Sequence, residues 1–363
     1  MADRRRVLMS GNDATGEGAI RARVKAYYGY PITPQNELPA YMAEHLPEAG
    51  GVFIQAESEL AAINMVFGSA VAGARAMTSS SSPGISLKQE GISYMAGCEL
   101  PGVIVNVQRG GPGLGNIAPA QGDYWQATRG GGHGDYRTPV LAPHCVQECF
   151  DLMPVAFDIA DRYRTPVVIL TDGRLGQMME PVELRDFQPA ADLPPKDWIL
   201  DGCKGREPRR ILSLLLIETE LEALNDRLQA RYAEITRNEV RFETLNTDGA
   251  DLWLVAYGSC ARICKEVVRR AKGEGLQIGL LRPITLWPFP AAPVRQAAER
   301  GVSFLVVEMS AGQMVEDVQL AVAGKARVEF YGRTGGIVPS ATEVLARARE
   351  MVADRRGGET QRR

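Results

Sequence analysis

An α/β fold built as two layered units is what this chain of 363 residues predicts. Three observations carry that expectation. Short β-rich runs alternate with helix-like stretches, several of the runs are apolar throughout, and a proline-rich charged segment divides the pattern past its middle. Continuously apolar runs are expected of strands covered on both faces, and strand–helix alternation favours a largely parallel sheet. At roughly 150 residues per domain the length also fits two domains.

In chain order, strands are predicted at 7–11, 26–32, 51–56, 74–80, 102–107 and 165–171, and helices at 14–25, 35–46, 58–72, 84–97 and 145–163. The stretch 110–135 is rich in glycine and lacks an apolar period. It is too long for a plain connector in a compact domain and reads as a functional loop. Residues 189–210 read as a linker. From 210 to 243, Leu212, Leu216, Ile217, Leu221, Leu224, Leu228 and Ile235 recur at three-to-four spacing, predicting one or two amphipathic helices. A second unit follows, with strands at 252–257, 277–281, 304–307 and 327–331 and helices at 259–273, 290–300, 312–323 and 341–353. Ser340 with Glu343 forms a capping box for the last helix. The expected division is 1–188, a connector at 189–249, 250–355 and a disordered tail at 356–363.

Composition narrows the function classes. Forty-one basic against 44 acidic residues leave a net charge of −3, which disfavours nucleic acid as the main partner. No apolar run approaches the ~20 residues of a membrane span, and the N-terminus lacks the long apolar segment of a signal peptide, so a cytoplasmic address is expected. The 6 cysteines form no CxxC and read as buried or free thiols of a reducing cytosol. With only 3 histidines, a self-contained metal site is disfavoured.

Five constellations could carry chemistry. In Tyr30-Pro31-Ile32-Thr33-Pro34, two prolines fix the backbone around Thr33 just ahead of a helix, where it either binds an anion or caps the helix. Gln55-Ala56-Glu57-Ser58-Glu59 opens a helix rich in small residues. A glutamate there either complements the helix dipole or presents a carboxylate to a cationic or protonated ring. The hydroxyl-rich turn Thr78 to Gly84 binds a polar ligand or caps a helix. Arg109, at a strand end beside glycines, suits carboxylate or phosphate recognition, or pairs structurally. His133, among glycines in Gly130 to Tyr136, is open to catalysis, ligand contact or an interface role.

Together these segments, with Gln89 to Tyr94 and Gln177-Met178-Met179-Glu180-Pro181, resemble the α subunit of 2-oxoacid:ferredoxin oxidoreductases over roughly residues 5–355. The branched-chain, 2-ketoisovalerate branch is the nearest in likeness, with 2-oxoglutarate enzymes as the alternative. The resemblance implies a thiamine-diphosphate pyrimidine-binding domain followed by a transketolase C-terminal-like α/β domain. It implies that Glu59 hydrogen-bonds the aminopyrimidine ring and controls its tautomer, with Glu57 in a supporting role. Tyr30, Pro31, Ser81 and Ser82 would help bind the cofactor, and Thr33, Arg109 and His133 would meet the 2-oxo acid. A β subunit would carry the diphosphate-binding domain with its Mg2+, because the Gly-Asp-Gly…Asn motif is not found here. A γ subunit, a ferredoxin-like cluster subunit with [4Fe-4S] clusters, external ferredoxin and coenzyme A complete the implied system. A non-catalytic homologue would be expected to lose Glu59 or Arg109, and both are present.

Overall fold

The computed structural model describes residues 6–360. Strand β1 (Arg6–Ser10) leads directly into α1 (Gly11–Arg21), whose N-terminus is closed by Ser10 Oγ accepting from the Asp13 N–H at 3.0 Å. That cap starts the helix three residues before the apolar pattern suggests. Then follow β2 (Ala26–Gly29), α2 (Glu37–Glu48), β3 (Val52–Gln55), α3 (Glu59–Val71), β4 (Ala76–Ser80), α4 (Ser82–Gly97) and β5 (Gly102–Gln108). The glycine-rich stretch carries a short helix, α5 (Tyr124–Thr128), before β6 (Val140–Leu141), α6 (Val146–Tyr163), β7 (Pro166–Asp172), α7 (Gly173–Gln177) and β8 (Met179–Glu183).

The second half begins with a single helix, α8 (Glu218–Asn238), and continues with β9 (Phe242–Leu245), β10 (Leu252–Val255), α9 (Gly258–Gly273), β11 (Ile278–Pro283) and β12 (Thr285–Trp287). It ends with α10 (Ala291–Glu299), β13 (Ser303–Glu308), α11 (Met314–Val322), β14 (Val328–Gly332) and α12 (Ala341–Thr360). The tail expected to be disordered from 356 is helical through Thr360, and 361–363 lie outside the described residues. No helix among the described residues is long and apolar enough to cross a membrane.

The main sheet has seven strands in the order β12-β6-β7-β5-β4-β2-β3, parallel apart from β12, which runs antiparallel to β6. Strands β5 and β7 are buried at every position, as their apolar runs require. Helix α3 lies against α4, and α1 against α2 and α6. The second sheet has the order β14-β13-β10-β11-β9, with only β9 antiparallel. β1 and β8 form a separate antiparallel pair.

Two strands cross the division expected from the sequence. Residues 242–245, assigned there to the connector, are the edge strand β9 of the second sheet, and β12, from the second unit, closes the edge of the first. Of the apolar stripe before 243, Leu224, Leu228 and Ile235 are buried, while Leu212, Leu216, Ile217 and Leu221 are exposed. Tyr232, which joins the buried set, packs edge-on against Trp287 of β12.

Polar contacts also tie the halves together. Gln121 donates through Nε2 to the Tyr257 carbonyl at 3.0 Å and accepts through Oε1 from the Met309 N–H at 3.0 Å. Buried Asp172 caps α7 and accepts from Ser259 Oγ at 2.8 Å. A closed ring of charges surrounds Arg282, whose side chain is 3% exposed. Its guanidinium grips both oxygens of Glu148 at 2.8 and 3.0 Å and donates to Glu243 at 2.8 Å. Lys265 bonds Glu243 at 3.0 Å and His144 Nε2 at 2.8 Å, and His144 Nδ1 lies 2.8 Å from Glu148. With the lysine donating to Nε2, the imidazole carries its proton on Nδ1 and donates to Glu148.

Burial pushes the Glu148 carboxyl up, but His144 and Arg282 outweigh it and hold it at about 2 against an ordinary 4.5. A depressed carboxyl adds stability above its unfolded value and loses it as pH falls through the folded one. The unfolding free energy should therefore decline between pH 4.5 and about 2. Arg282→Met, which leaves two carboxylates facing each other, should cost about 3–5 kcal/mol at neutral pH. It should also flatten the acid decline. Urea unfolding at a series of pH values reads both effects.

Candidate active site

The first sheet is built outward from β2 in two directions: β3 pairs on one side of it and β4 on the other. Between them the chain order reverses, and in open α/β sheets the crevice at the carboxyl ends of such strands is where ligands bind. The sequence motifs lie on those ends. Thr33 follows β2, Glu59 follows β3, Ser81 and Ser82 follow β4, and Arg109 follows β5.

Glu59 is the first residue of α3, whose N-cap Ser58 accepts from the Ala61 N–H at 3.2 Å. It is 6% exposed, whereas Glu57 is exposed. No hydrogen bond or ion pair reaches the Glu59 carboxylate from the described residues. Beside it, the backbone of α4 comes unusually close. A Cβ built on Gly84 would lie 2.1 Å from Ser80 Oγ and 2.5 Å from Glu59 Oε1. One turn pair further on, a Cβ on Gly91 would lie 2.5 Å from Ile63 of α3.

Alternation along β4 sorts its hydroxyls. Ser79 points to one side and shares a 2.6 Å hydrogen bond with the Tyr27 hydroxyl. Thr78 and Ser80 point to the other side, and their hydroxyls, with that of Ser81, are buried without a partner among the described residues. Unsatisfied buried hydroxyls are costly. The Glu59 carboxylate and the unpaired Ser80 hydroxyl converge on the bare backbone of Gly84, and with the unpaired hydroxyls of Thr78 and Ser81 from the same strand end they offer a donor-and-acceptor set for a flat polar ring.

Ser82 is otherwise engaged. Its hydroxyl donates to Asp123 at 2.6 Å and accepts from the Arg109 N–H at 3.0 Å. Asn106 donates to the same Asp123 oxygen at 2.9 Å, and the Asp123 N–H donates to Gln108 at 3.0 Å. Burial pushes the Asp123 carboxyl up, and the bonds from Ser82 and Asn106 oppose that. This network holds the glycine-rich loop against β5.

Arg109 and Thr33 are brought together across the loop. One Nη donates to the Thr33 carbonyl at 2.9 Å and the other to the Leu114 carbonyl at 3.1 Å, while the buried Nε has no partner. Of the five guanidinium donors, three therefore remain for an anion. Asn36 donates to Thr33 Oγ1 at 3.3 Å. Tyr30 is exposed, and Pro31 lines a neighbouring groove of about 220 Å3 with Gly29, Asn36, Phe53 and Gln55.

His133 is not brought to this cluster. Its carbonyl accepts from Ser93 Oγ at 2.6 Å and its ring meets Tyr94 edge-on at 5.9 Å. Ser93 lies eleven residues along α4 from Ser82, about 16 Å at 1.5 Å per residue. His133 instead lines a separate groove of about 400 Å3 against α8, with Leu224 and Leu228. Sequence reasoning passed over Asn106, Gln108, Asp123 and Lys88. Polar Asn106 and Gln108 inside an otherwise apolar strand were a usable signal; Asp123, in an irregular loop, gave none.

Two family models match this arrangement. One, described as pyruvate flavodoxin/ferredoxin oxidoreductase, thiamine diP-binding, covers residues 17–198. The other, pyruvate:ferredoxin oxidoreductase core domain II, covers 250–344. The first half thus belongs to the thiamine-diphosphate-binding class of α/β domain. The whole chain belongs to the family of 2-oxoacid:ferredoxin oxidoreductase subunits. It is 49% identical to the ketoisovalerate oxidoreductase subunit VorB of Methanothermobacter thermautotrophicus, over 96% of this chain and 98% of that protein. The 2-oxoglutarate synthase subunit KorA of the same organism is 39% identical over 93% of this chain and 96% of its own length. Among solved structures, a 2-oxoglutarate:ferredoxin oxidoreductase from Magnetococcus marinus, with 2-oxoglutarate, coenzyme A and succinyl-CoA bound, superposes with a TM-score of 0.85 at 27% identity. That match covers 95% of this chain, which spans 65% of the length of the other.

Gly84→Ala tests the close approach. Its methyl group meets the Glu59 carboxylate and Ser80, so turnover should fall by about 10-fold or more through misplacement of one charged group. Circular dichroism and assembly should be unchanged. Near-normal turnover would mean that Glu59 does not need its observed position.

Proposed function

We propose that this chain is the pyrimidine-binding subunit of a thiamine-diphosphate enzyme that oxidatively decarboxylates a branched-chain 2-oxo acid, 3-methyl-2-oxobutanoate, with coenzyme A and ferredoxin. The observation that carries the reading is the bare, buried Glu59 carboxylate at the strand switch point, beside Gly84 and the unpaired hydroxyls of Thr78, Ser80 and Ser81. The substrate assignment rests on the greater likeness to the ketoisovalerate subunit than to the 2-oxoglutarate one. It agrees with Arg109, a guanidinium suited to a single carboxylate. 2-Oxoglutarate, with two carboxylates, is the second reading.

Thiamine diphosphate, when bound, supplies the carbon nucleophile and the electron sink of the reaction. Glu59 accepts the proton shared with the ring nitrogen and so selects the ring tautomer, the work of a positioned acid–base group. In this reading Ser81, Tyr30 and Pro31 help bind the cofactor, and Ser82 holds the loop that carries Arg109. Arg109 and Thr33 orient the 2-oxo acid by its carboxylate. His133, on another face of this chain, takes no part in that contact here.

The remaining parts belong to partners in this reading. A β subunit carries the diphosphate-binding domain and Mg2+, and a γ subunit and a ferredoxin-like subunit with [4Fe-4S] clusters complete a cytoplasmic complex that reduces external ferredoxin. Expected behaviour follows in three measurements on the chain co-expressed with its partners. Viologen reduction with coenzyme A should require the complex, and activity from this chain alone would overturn the half-site arrangement. The kcat/KM for 3-methyl-2-oxobutanoate should exceed that for 2-oxoglutarate. Glu59→Gln should lower kcat by about 100-fold or more with assembly intact, whereas Arg109→Ala should act chiefly on KM for the 2-oxo acid.

A further inference from the structure

Among the described residues, Lys88 is the one buried charge near the site that the proposed function leaves unused. It is fully buried in the middle of α4. Helix side chains tilt toward their own N-terminus, so a residue four positions after Gly84 places its head beside that glycine. There, Lys88 Nζ donates to the Glu59 carbonyl oxygen at 3.3 Å. That is the ammonium's only hydrogen bond among the described residues, and no carboxylate lies within ion-pair distance of it. Gly84, Lys88 and Gly91 form one stripe on α4 facing α3, with the two glycines letting the helices close on either side of the lysine.

We propose that Lys88 is a positioning residue whose charge holds Glu59 as a carboxylate while the ring of thiamine diphosphate lies against it. The proposal rests on the reading of Glu59 as the ring-binding group. A buried, poorly solvated cation is costly unless a nearby anion compensates it. The other charged and titratable groups facing this part of α4 are already committed. Asp123 is held by Ser82 and Asn106, Tyr136 by Gly132 and Glu90 by Tyr94, and Arg109 is itself a cation. Glu59 is left as the compensating charge. Burial pulls the Lys88 ammonium down to about 8, against the opposing effect of Glu59, so it stays largely protonated at neutral pH.

The cation serves the ring site in a simple way. Glu59 must accept a hydrogen bond from a ring nitrogen inside a dry pocket, and desolvation there favours its neutral form. A fixed positive charge behind it opposes that. Lys88 sits on the protein side of Glu59, attached to its main chain, and so leaves the carboxylate oxygens free for the ring.

The test uses the assembled complex and four variants, two at Lys88, one at Glu59 and one that combines the two sites. Lys88→Met keeps the length and removes the charge. Lys88→Gln also removes the charge but can still donate to the Glu59 carbonyl. Two readouts are taken across pH: kcat, and thiamine diphosphate affinity by tryptophan fluorescence. Loss of the charge should move the acid limb of both curves up by about one pH unit in Met and Gln variants alike, the size expected of one nearby charge. On the acid side of that limb this is about a 10-fold weaker affinity. KM for the 2-oxo acid should stay within about two-fold, since the substrate is held elsewhere. Glu59→Gln with Lys88→Met should bind the cofactor no more weakly than Glu59→Gln alone. Unchanged acid limbs, or restoration by Gln, would overturn the proposal and assign Lys88 a hydrogen-bonding role only. If Glu59→Gln alone leaves affinity and turnover intact, the reading of Glu59 fails instead. Should Lys88→Met not assemble, Lys88→Gln alone still decides through its acid limb.

Discussion

The contact on which the site depends is the approach of α4 to the first turn of α3. Everything that makes Glu59 usable follows from it. Gly84 removes the one side chain that would strike the carboxylate, and Gly91 allows the same closeness one turn pair later against Ile63. The two helices can then bury Glu59 without offering it a hydrogen bond. Ordinary packing would have filled this space with an apolar side chain or satisfied the carboxylate with a donor. Here the protein keeps a carboxylate buried with no hydrogen bond from the described residues, and the unpaired Ser80 hydroxyl meets the same glycine. Native interiors rarely tolerate such groups without a use, and they cluster where a ligand completes them.

The second constraint is the union of the two sheets. β12 leaves the second unit to edge the first sheet, and α8 buries Leu224, Leu228, Tyr232 and Ile235 beneath it. The Arg282 ring, the Gln121 bridge and the Asp172–Ser259 pair cross the same boundary. The glycine-rich loop is thereby fastened near its middle on two sides, by Asp123 to β5 and by Gln121 to the second unit. Arg109 stands at the start of a loop whose path is set by both halves of the chain.

Much of this was legible in the sequence. Strand–helix alternation located the main elements, because parallel strands buried on both faces are apolar throughout. The candidate residues Thr33, Glu59, Ser81 and Arg109 each followed a predicted strand, and the topology gathers those strand ends into one crevice. What escaped notice depends on pairing between distant residues. β9 and β12 are four and three residues long, with no alternation to betray them, and their partners lie about 35–41 and about 145 positions away. His133 joins the substrate residues only through the family resemblance, and about three turns of α4 separate Ser93, which bonds it, from Ser82. Lys88 had a readable signal in its spacing from Gly84 and Gly91, since a lysine between two glycines on one helix face is an odd core residue.

The late strand β12 has a consequence for how the protein is made. Strand β6 is only two residues long, and β12 covers its outer edge. During synthesis that edge stays open until Trp287 has cleared the ribosome, long after β2 to β7 are available. At the usual pace of about 5–20 residues per second, the delay is on the order of ten seconds. Over that interval the nascent sheet carries an unpaired edge, the kind of surface that recruits other strands. The brevity of β6 limits the hazard, because a two-residue ladder offers a stray strand very little to hold.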